Sequence, residues 1–189
     1  MRLRLERRAS PISSLLLVTD NDGILRALEF SDHEARMHRL SGVHYGDYWL
    51  EKGAAPTSLL KTLNAHFEGD IDALTDVRIA TGGTPFQRTV WNALRTVQPG
   101  ITITYGQLAA RLGFTGASRA VGAANGANPI AIVVPCHRVI GANGMLTGYG
   151  GGLTRKQWLL DHEGRFSPIA AVTPRRSWQS GPRPRPAKP

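Results

Sequence analysis

Only one side chain in the 189 residues can act as a thiol nucleophile: Cys136 is the sole cysteine, and His137 follows it directly. Cysteine attacks as the thiolate, and a neighbouring base or cation makes that form accessible near neutral pH. Glu163, 26 positions beyond His137, could orient the imidazole as the carboxylate of a triad does. A single cysteine excludes an intrachain disulfide framework and argues against a cysteine-type zinc site. Neither a metal nor a cofactor is expected. A lone cysteine is more often an inert core residue than a reactive one, and neighbours on a strand face opposite ways, so the pair alone does not decide.

The flanking sequence must position that pair. Asn128-Pro129 reads as a turn, and the apolar run from Ile130 to Val134 predicts a buried strand that ends at Pro135-Cys136-His137-Arg138. Three helix starts of one kind occur in this part of the chain: Thr84 with Gln87 and Pro85, Thr104 with Gln107, and Thr154 with Gln157. The first opens an amphipathic helix to about Val97 on Phe86, Val90 and Leu94; Gly113 closes the second and Gly164 the third. After the turn 113–116, residues 117–124 (ASRAVGAA) predict a further short helix, so that 105–124 has the form of a helix-turn-helix. Its side chains are nearly all small. Such a helix can press its backbone into a narrow minor groove, held by shape and phosphate contacts rather than by base-edge reading. The same composition also suits a helix packed into a core through its alanines.

Nearer the start, the apolar runs 13–18 and 23–30 flank Asp20-Asn21-Asp22-Gly23 and predict a hairpin, which with residues 3–5 gives a small antiparallel sheet. Ser31 with Glu34 reads as a capping box. Thr57 reads as the cap of a helix with Leu59, Leu60, Leu63 and Phe67 on one face and Gly69 past its end. Residues 69–83 read as a loop that separates two units, 1–79 and 80–166, and 167–189 as a basic, proline-rich disordered tail. The fold class expected is α+β. Formal charge is −2 over 1–83, +5 over 84–164 and +6 beyond, so the positive field that would attract nucleic acid lies on the second unit and the tail. No apolar run approaches the ~20 residues that span a bilayer, and the basic N-terminus lacks the apolar segment of a secretory signal. A soluble, cytoplasmic protein is expected.

The string PCHRV (135–139), preceded by Asn128-Pro129, resembles the active-site signature of the O6-alkylguanine-DNA alkyltransferases. The likeness continues through GTPFQ (83–87), TYGQLA (104–109), SRAVGAANGANPI (118–130), TGYGGG (147–152), RKQWLL (155–160) and HEG (162–164). The preceding part is similar to the constitutive bacterial members. The resemblance implies an N-terminal RNase H-like α/β domain and a C-terminal winged-helix domain carrying the helix-turn-helix. It implies irreversible, once-only transfer of an alkyl group from O6-alkylguanine, and from O4-alkylthymine, to Cys136. The partner implied is double-stranded DNA with an alkylated guanine, bound through the minor groove by a monomer; cooperative binding along DNA stays open. His137 would be the base acting through water, Glu163 its partner, and Tyr105 the proton donor to the base. Arg119 would fill the place of the flipped nucleotide, with Ser118, Ala120, Gly122, Ala123, Asn125 and Thr104 against DNA. Asn128, Val139, Met145, Tyr149, Gly150 and Gly151 would line the pocket with Tyr105. Gly150 stands where some relatives carry serine, and Ala131 where some carry proline.

Three other functions remain compatible with parts of this pattern. A non-enzymatic binder of alkylated bases would lack the acceptor that Cys136 provides. A cysteine hydrolase would turn over, and would leave the basic second unit unexplained. A helix-turn-helix regulator would prefer one sequence by roughly a thousandfold or more.

Overall fold

A computed structural model describes residues 1–168. The tail beyond Pro168, expected to be disordered, lies outside the described residues. The chain runs β1 (Arg2–Arg8), β2 (Leu15–Thr19), β3 (Leu25–Phe30), α1 (Glu34–Tyr45), β4 (Trp49–Lys52), α2 (Thr57–Glu68), α3 (Pro85–Arg95), β5 (Ile103–Thr104), α4 (Tyr105–Arg111), α5 (Ser118–Gly126), β6 (Val139–Ile140) and α6 (Leu153–Phe166). The predicted hairpin is β2–β3, antiparallel with Leu15 opposite Phe30, and β1 pairs antiparallel with β2. The sheet is not wholly antiparallel: its order is β3-β2-β1-β4, and β4 joins β1 in parallel. The crossover through α1 supplies the connection that a parallel pair requires. The class is α+β.

Local capping decides several boundaries. Thr84 and Thr104 each accept a hydrogen bond from the backbone N–H three residues on, and Gln87 and Gln107 return one to the cap. These two predicted capping boxes are therefore formed. The boxes predicted at Ser31 and Thr154, and the cap predicted at Thr57, are not. Ser31 lies in a 3₁₀ turn ahead of α1 and caps nothing, Glu34 instead pairing with Arg7 at 2.6 Å. Thr57 is the first residue inside α2, behind Pro56. Thr154 lies inside α6, which starts after Gly152 and continues through Gly164 to Phe166. There the buried face of α6, not the sequence spacing, sets the limits.

One apolar cluster spans the sheet and the helices, joining Leu15, Leu25, Leu28 and Phe30 to Trp91, Leu94, Leu108, Val121 and Leu159. Trp91 on α3 donates its indole N–H to Ala124 O at 2.8 Å, which fixes α5 over α3. The α4 and α5 helices are joined by a short turn in which Gly113 and Gly116 take positive φ, as a helix-turn-helix needs.

The segment 130–134 departs from expectation. It is buried throughout, but it is a tight turn rather than a strand. Ile132 has φ +68°, and Val133 and Val134 donate back to Ala131 O (2.7 Å) and Ile130 O (3.0 Å). A short apolar run does not distinguish a buried strand from a buried turn. A β-branched residue in the left-handed region costs on the order of 1–3 kcal/mol, so its neighbours must hold it. β3 does so through Leu28, whose N–H donates to Pro129 O at 3.0 Å and whose carbonyl accepts Ala131 N–H at 2.9 Å. A proline at 131 would lack that N–H.

Replacing Thr84 or Thr104 by alanine should lower the unfolding free energy by about 1 kcal/mol each. Urea denaturation measures this, and unchanged midpoints would show that the boxes stabilise nothing.

Candidate active site

Every residue from Asn128 to Ile140 is buried, and the polar ones among them have defined partners. Cys136 begins a 3₁₀ turn, Cys136–Arg138. Its Sγ accepts a hydrogen bond from Asn128 Nδ2 at 3.1 Å, and the same amide donates to Val134 O (2.9 Å) and Ile130 O (3.2 Å). Asn128 Oδ1 accepts Ile130 N–H at 3.0 Å. One amide thus ties the strained turn to the sulfur. Asn125, expected against DNA, faces inward instead: it is buried, and its Nδ2 approaches Cys136 O at 3.4 Å.

His137 Nε2 lies 2.7 Å from Glu163 Oε1, with both side chains wholly buried. His137 Nδ1 is buried and has no hydrogen-bond partner among the described residues. Arg138 completes the arrangement. Its Nε and Nη2 donate to the Glu163 carboxylate at 2.8–3.1 Å, and its Nη1 donates to Val97 O. Gly100 N–H adds a fourth contact to Glu163 at 3.1 Å. Burial alone would raise the pKa of Glu163, but His137 and Arg138 overcome this and hold it well below the carboxylate range. For His137 the order is reversed. Burial outweighs Glu163 and lowers its pKa. Arg138 already neutralises the carboxylate, so the imidazole can stay uncharged.

Burial also raises the pKa of the Cys136 thiol, offset in part by the Asn128 hydrogen bond and then by the charges of Arg36 and Lys156. His137 is not among the groups that offset the effect of burial.

The segment 147–152 forms the facing wall. Tyr149 packs edge-on against Phe30 and His137, with ring centroids 6.3 and 6.4 Å apart, and its buried hydroxyl has no hydrogen-bond partner among the described residues. Tyr105, at the start of α4, donates to Thr147 O at 3.4 Å. Gly151 lies so close to the Phe30 ring that a Cβ would overlap it, and a Cβ on Gly150 would stand 2.9 Å from Arg36 Cζ. Arg36 fills the space a side chain at 150 would take. Val139 is buried beyond the 3₁₀ turn, and Met145 lies in a turn closed by Gly141 N–H to Met145 O at 3.0 Å.

On the outer surface, Arg119, Ala120 and Ala123 of α5 are exposed, with Ser118 and Gly122 half-buried. The Thr104 hydroxyl is occupied by its cap. The exposed face of α5 is thus the small-residue face noted in the sequence.

Several partners were not assigned from sequence. Arg138 is one, and its signal is a charged residue beside an otherwise apolar segment. Lys156 falls on the buried stripe of α6 with Leu159, Leu160 and Glu163, a spacing readable in advance. Arg36 left no such trace. It pairs with buried Glu29 and donates to Gly126 O (2.6 Å) and Asn128 O (3.1 Å), some 90 residues away.

Residues 85–165 match the family model of the 6-O-methylguanine DNA methyltransferase DNA-binding domain. Over 166 residues the chain is 52% identical to the methylated-DNA–protein-cysteine methyltransferase of Salmonella typhimurium, covering 87% of this chain and 97% of that one. The chain belongs to the methylated-DNA–protein-cysteine methyltransferase family. The Methanosarcina acetivorans member is 45% identical over 155 residues, 82% of this chain and 94% of that one. Among solved structures, Mycobacterium tuberculosis OGT in complex with DNA aligns with TM-score 0.72 at 41% identity, covering 91% and 98% of the two chains. The O6-methylguanine-DNA methyltransferase of Pyrococcus kodakaraensis aligns with TM-score 0.61 at 28% identity, covering 86% and 99%. Among the described residues, no helix is long and apolar enough to cross a membrane.

Two pH dependences follow. Alkylation of Cys136 by iodoacetamide should run at least ~10-fold slower at neutral pH than that of a free thiol, and should still rise above pH 9; a plateau below pH 8 would mean a resting thiolate. Packed against His162, buried His66 is pushed from 6.5 down to about 4, first by desolvation. The unfolded chain therefore binds this proton in a window where the fold does not, so stability present above pH 6.5 is lost as pH falls towards 4. Chemical denaturation of wild type and His66→Leu should show a shallower slope for the variant across that window; equal slopes would refute the assignment.

Proposed function

We propose that Cys136 Sγ attacks the alkyl carbon of an O6-alkylated guanine turned out of duplex DNA. The S–C bond forms as the C–O6 bond breaks. The thiol proton passes to His137 Nδ1 through a bridging water, and the guanine takes a proton from the Tyr105 hydroxyl. Tyr105 is afterwards reprotonated by way of solvent, so the balance is one proton moved from thiol to base. The thioether offers no leaving group for water, and each molecule acts once. O4-alkylthymine presents the same alkyl–oxygen bond.

The observation that carries this reading is the buried His137–Glu163 pair. It commits Nε2 to the carboxylate and leaves Nδ1 as the basic nitrogen next to Cys136. A neutral imidazole can accept a proton, which a permanent imidazolium could not. Alkyl transfer is the activity of the family, and the acceptor cysteine separates this chain from a binder that lacks one.

The α4–turn–α5 unit is proposed to enter the minor groove of double-stranded DNA as the helix-turn-helix of a winged-helix domain, with Arg119 filling the vacated place in the stack. Ser118, Ala120, Gly122 and Ala123 allow the backbone to approach. Tyr149 and the backbone at Gly150 and Gly151 would contact the flipped base. The division at 79/80 into an RNase H-like unit and a DNA-binding catalytic unit belongs to the same reading, as does action as a monomer.

Incubated with a duplex carrying one O6-methylguanine, the protein should gain the mass of one methyl group on Cys136, saturating at one per molecule. Cys136→Ser should bind the duplex and gain nothing. Binding by wild type without a gain in mass, or turnover beyond one equivalent, would overturn the proposal.

A further inference from the structure

Lys156 has no exposed surface and no carboxylate within ion-pair distance among the described residues. An ammonium buried without a counter-charge is costly, by several kcal/mol per ion, so its surroundings must compensate. Three carbonyls do: Val139 O at 2.5 Å, Thr147 O at 2.7 Å and Gly148 O at 3.4 Å. These match the three donors of the ammonium. Val139 directly follows the 3₁₀ turn that carries Cys136. Thr147 and Gly148 lead into the wall that carries Tyr149, and Thr147 O also receives the Tyr105 hydroxyl.

The acceptors therefore belong to both sides of the nucleophile. We propose that Lys156 is a positioning residue for alkyl transfer: its ammonium binds the wall at 147–148 to the strand behind Cys136 and sets the gap the alkylated base must occupy. The inference rests on Cys136 as acceptor. Seven residues on, along the same buried stripe of α6, Glu163 grips His137. One helix thus orients the base and fixes the wall. Lys156 also adds positive charge that favours the Cys136 thiolate, after Asn128 and Arg36.

Lysine is suited to this only while protonated. Burial lowers its pKa to about 8. The titratable groups that interact with it are Cys136 and His137 on the nucleophile turn, and Tyr105 on α4 shares the Thr147 carbonyl with it. Cys136, His137 and Tyr105 change charge too, so a rate profile alone would mix their titrations. The carbonyls report on Lys156 directly.

The test uses the full chain. Single-turnover methyl transfer to Lys156→Met under saturating duplex should be slower by at least ~10-fold, about 1.4 kcal/mol, while the Kd for the duplex changes less than about threefold. In wild type, the carbonyl carbon shifts of Val139, Thr147 and Gly148 should titrate with the midpoint of the Lys156 side-chain carbon signal. Transfer at the wild-type rate, or carbonyl shifts that pass through that midpoint unchanged, would overturn the proposal. Should the variant fail to melt cooperatively, the wild-type titration decides alone. Wild type gaining no methyl would instead refute the transfer reading, and the carbonyl titration would still judge the latch.

Discussion

A carboxylate shut away from water has to be surrounded by donors, and the site is arranged around the one at Glu163. Arg138, His137 and the Gly100 amide converge on it, and Arg138 reaches on to Val97. Removing one partner from such a set costs roughly 3–5 kcal/mol, because it strands a buried charge. That penalty fixes the place of α6, the path of the chain between α3 and β5, and the plane of the imidazole. Arg138 supplies the counter-charge, which leaves His137 free to remain neutral. The positions of the nucleophile and its base follow from satisfying one anion.

Chemical restraint is the second theme. A thiolate standing ready in a protein that can be used only once would be spent on any passing electrophile or oxidant. Here burial disfavours the thiolate, and the features that favour it are present but smaller: one amide hydrogen bond and two cations. Such a site becomes reactive when a substrate completes it.

The sequence made local features plain and distant ones obscure. The boxes at Thr84 and Thr104 could be read because each is a bond between residues three apart. The boxes at Ser31 and Thr154 have the same spacing and fail, because packing of α1 and α6 moved the helix starts. Cys136, His137 and Glu163 could be recognised as a set, and the structure brings His137 and Glu163 into contact. The turn at Ile130–Val134 reads as a strand, since burial on all sides removes periodicity. Its left-handed Ile132 depends on Asn128 and on Leu28 in β3. Arg36, paired with Glu29, meets the end of α5 across 90 positions, and no local pattern announces such a meeting. Asn125 was placed on the DNA face from its neighbours, whereas the turn of the helix carries it inward. The parallel β4 was hidden for a different reason: four residues are too few to show alternation.

The wall at 147–152 has its shape because Gly150 and Gly151 leave room for Arg36 and Phe30. Arg155 closes the same seam, stacking 4.4 Å over the Phe30 ring and bonding Asp32 at 2.9 Å. Phe30, Asp32 and Arg36 all precede residue 85, where the match to the family's DNA-binding domain begins. Cys136 and the side chains against which the wall packs thus come from two separate stretches of the chain. Recombining the first eighty residues with those of a relative would therefore reshape that wall while leaving Cys136, His137 and Glu163 unchanged.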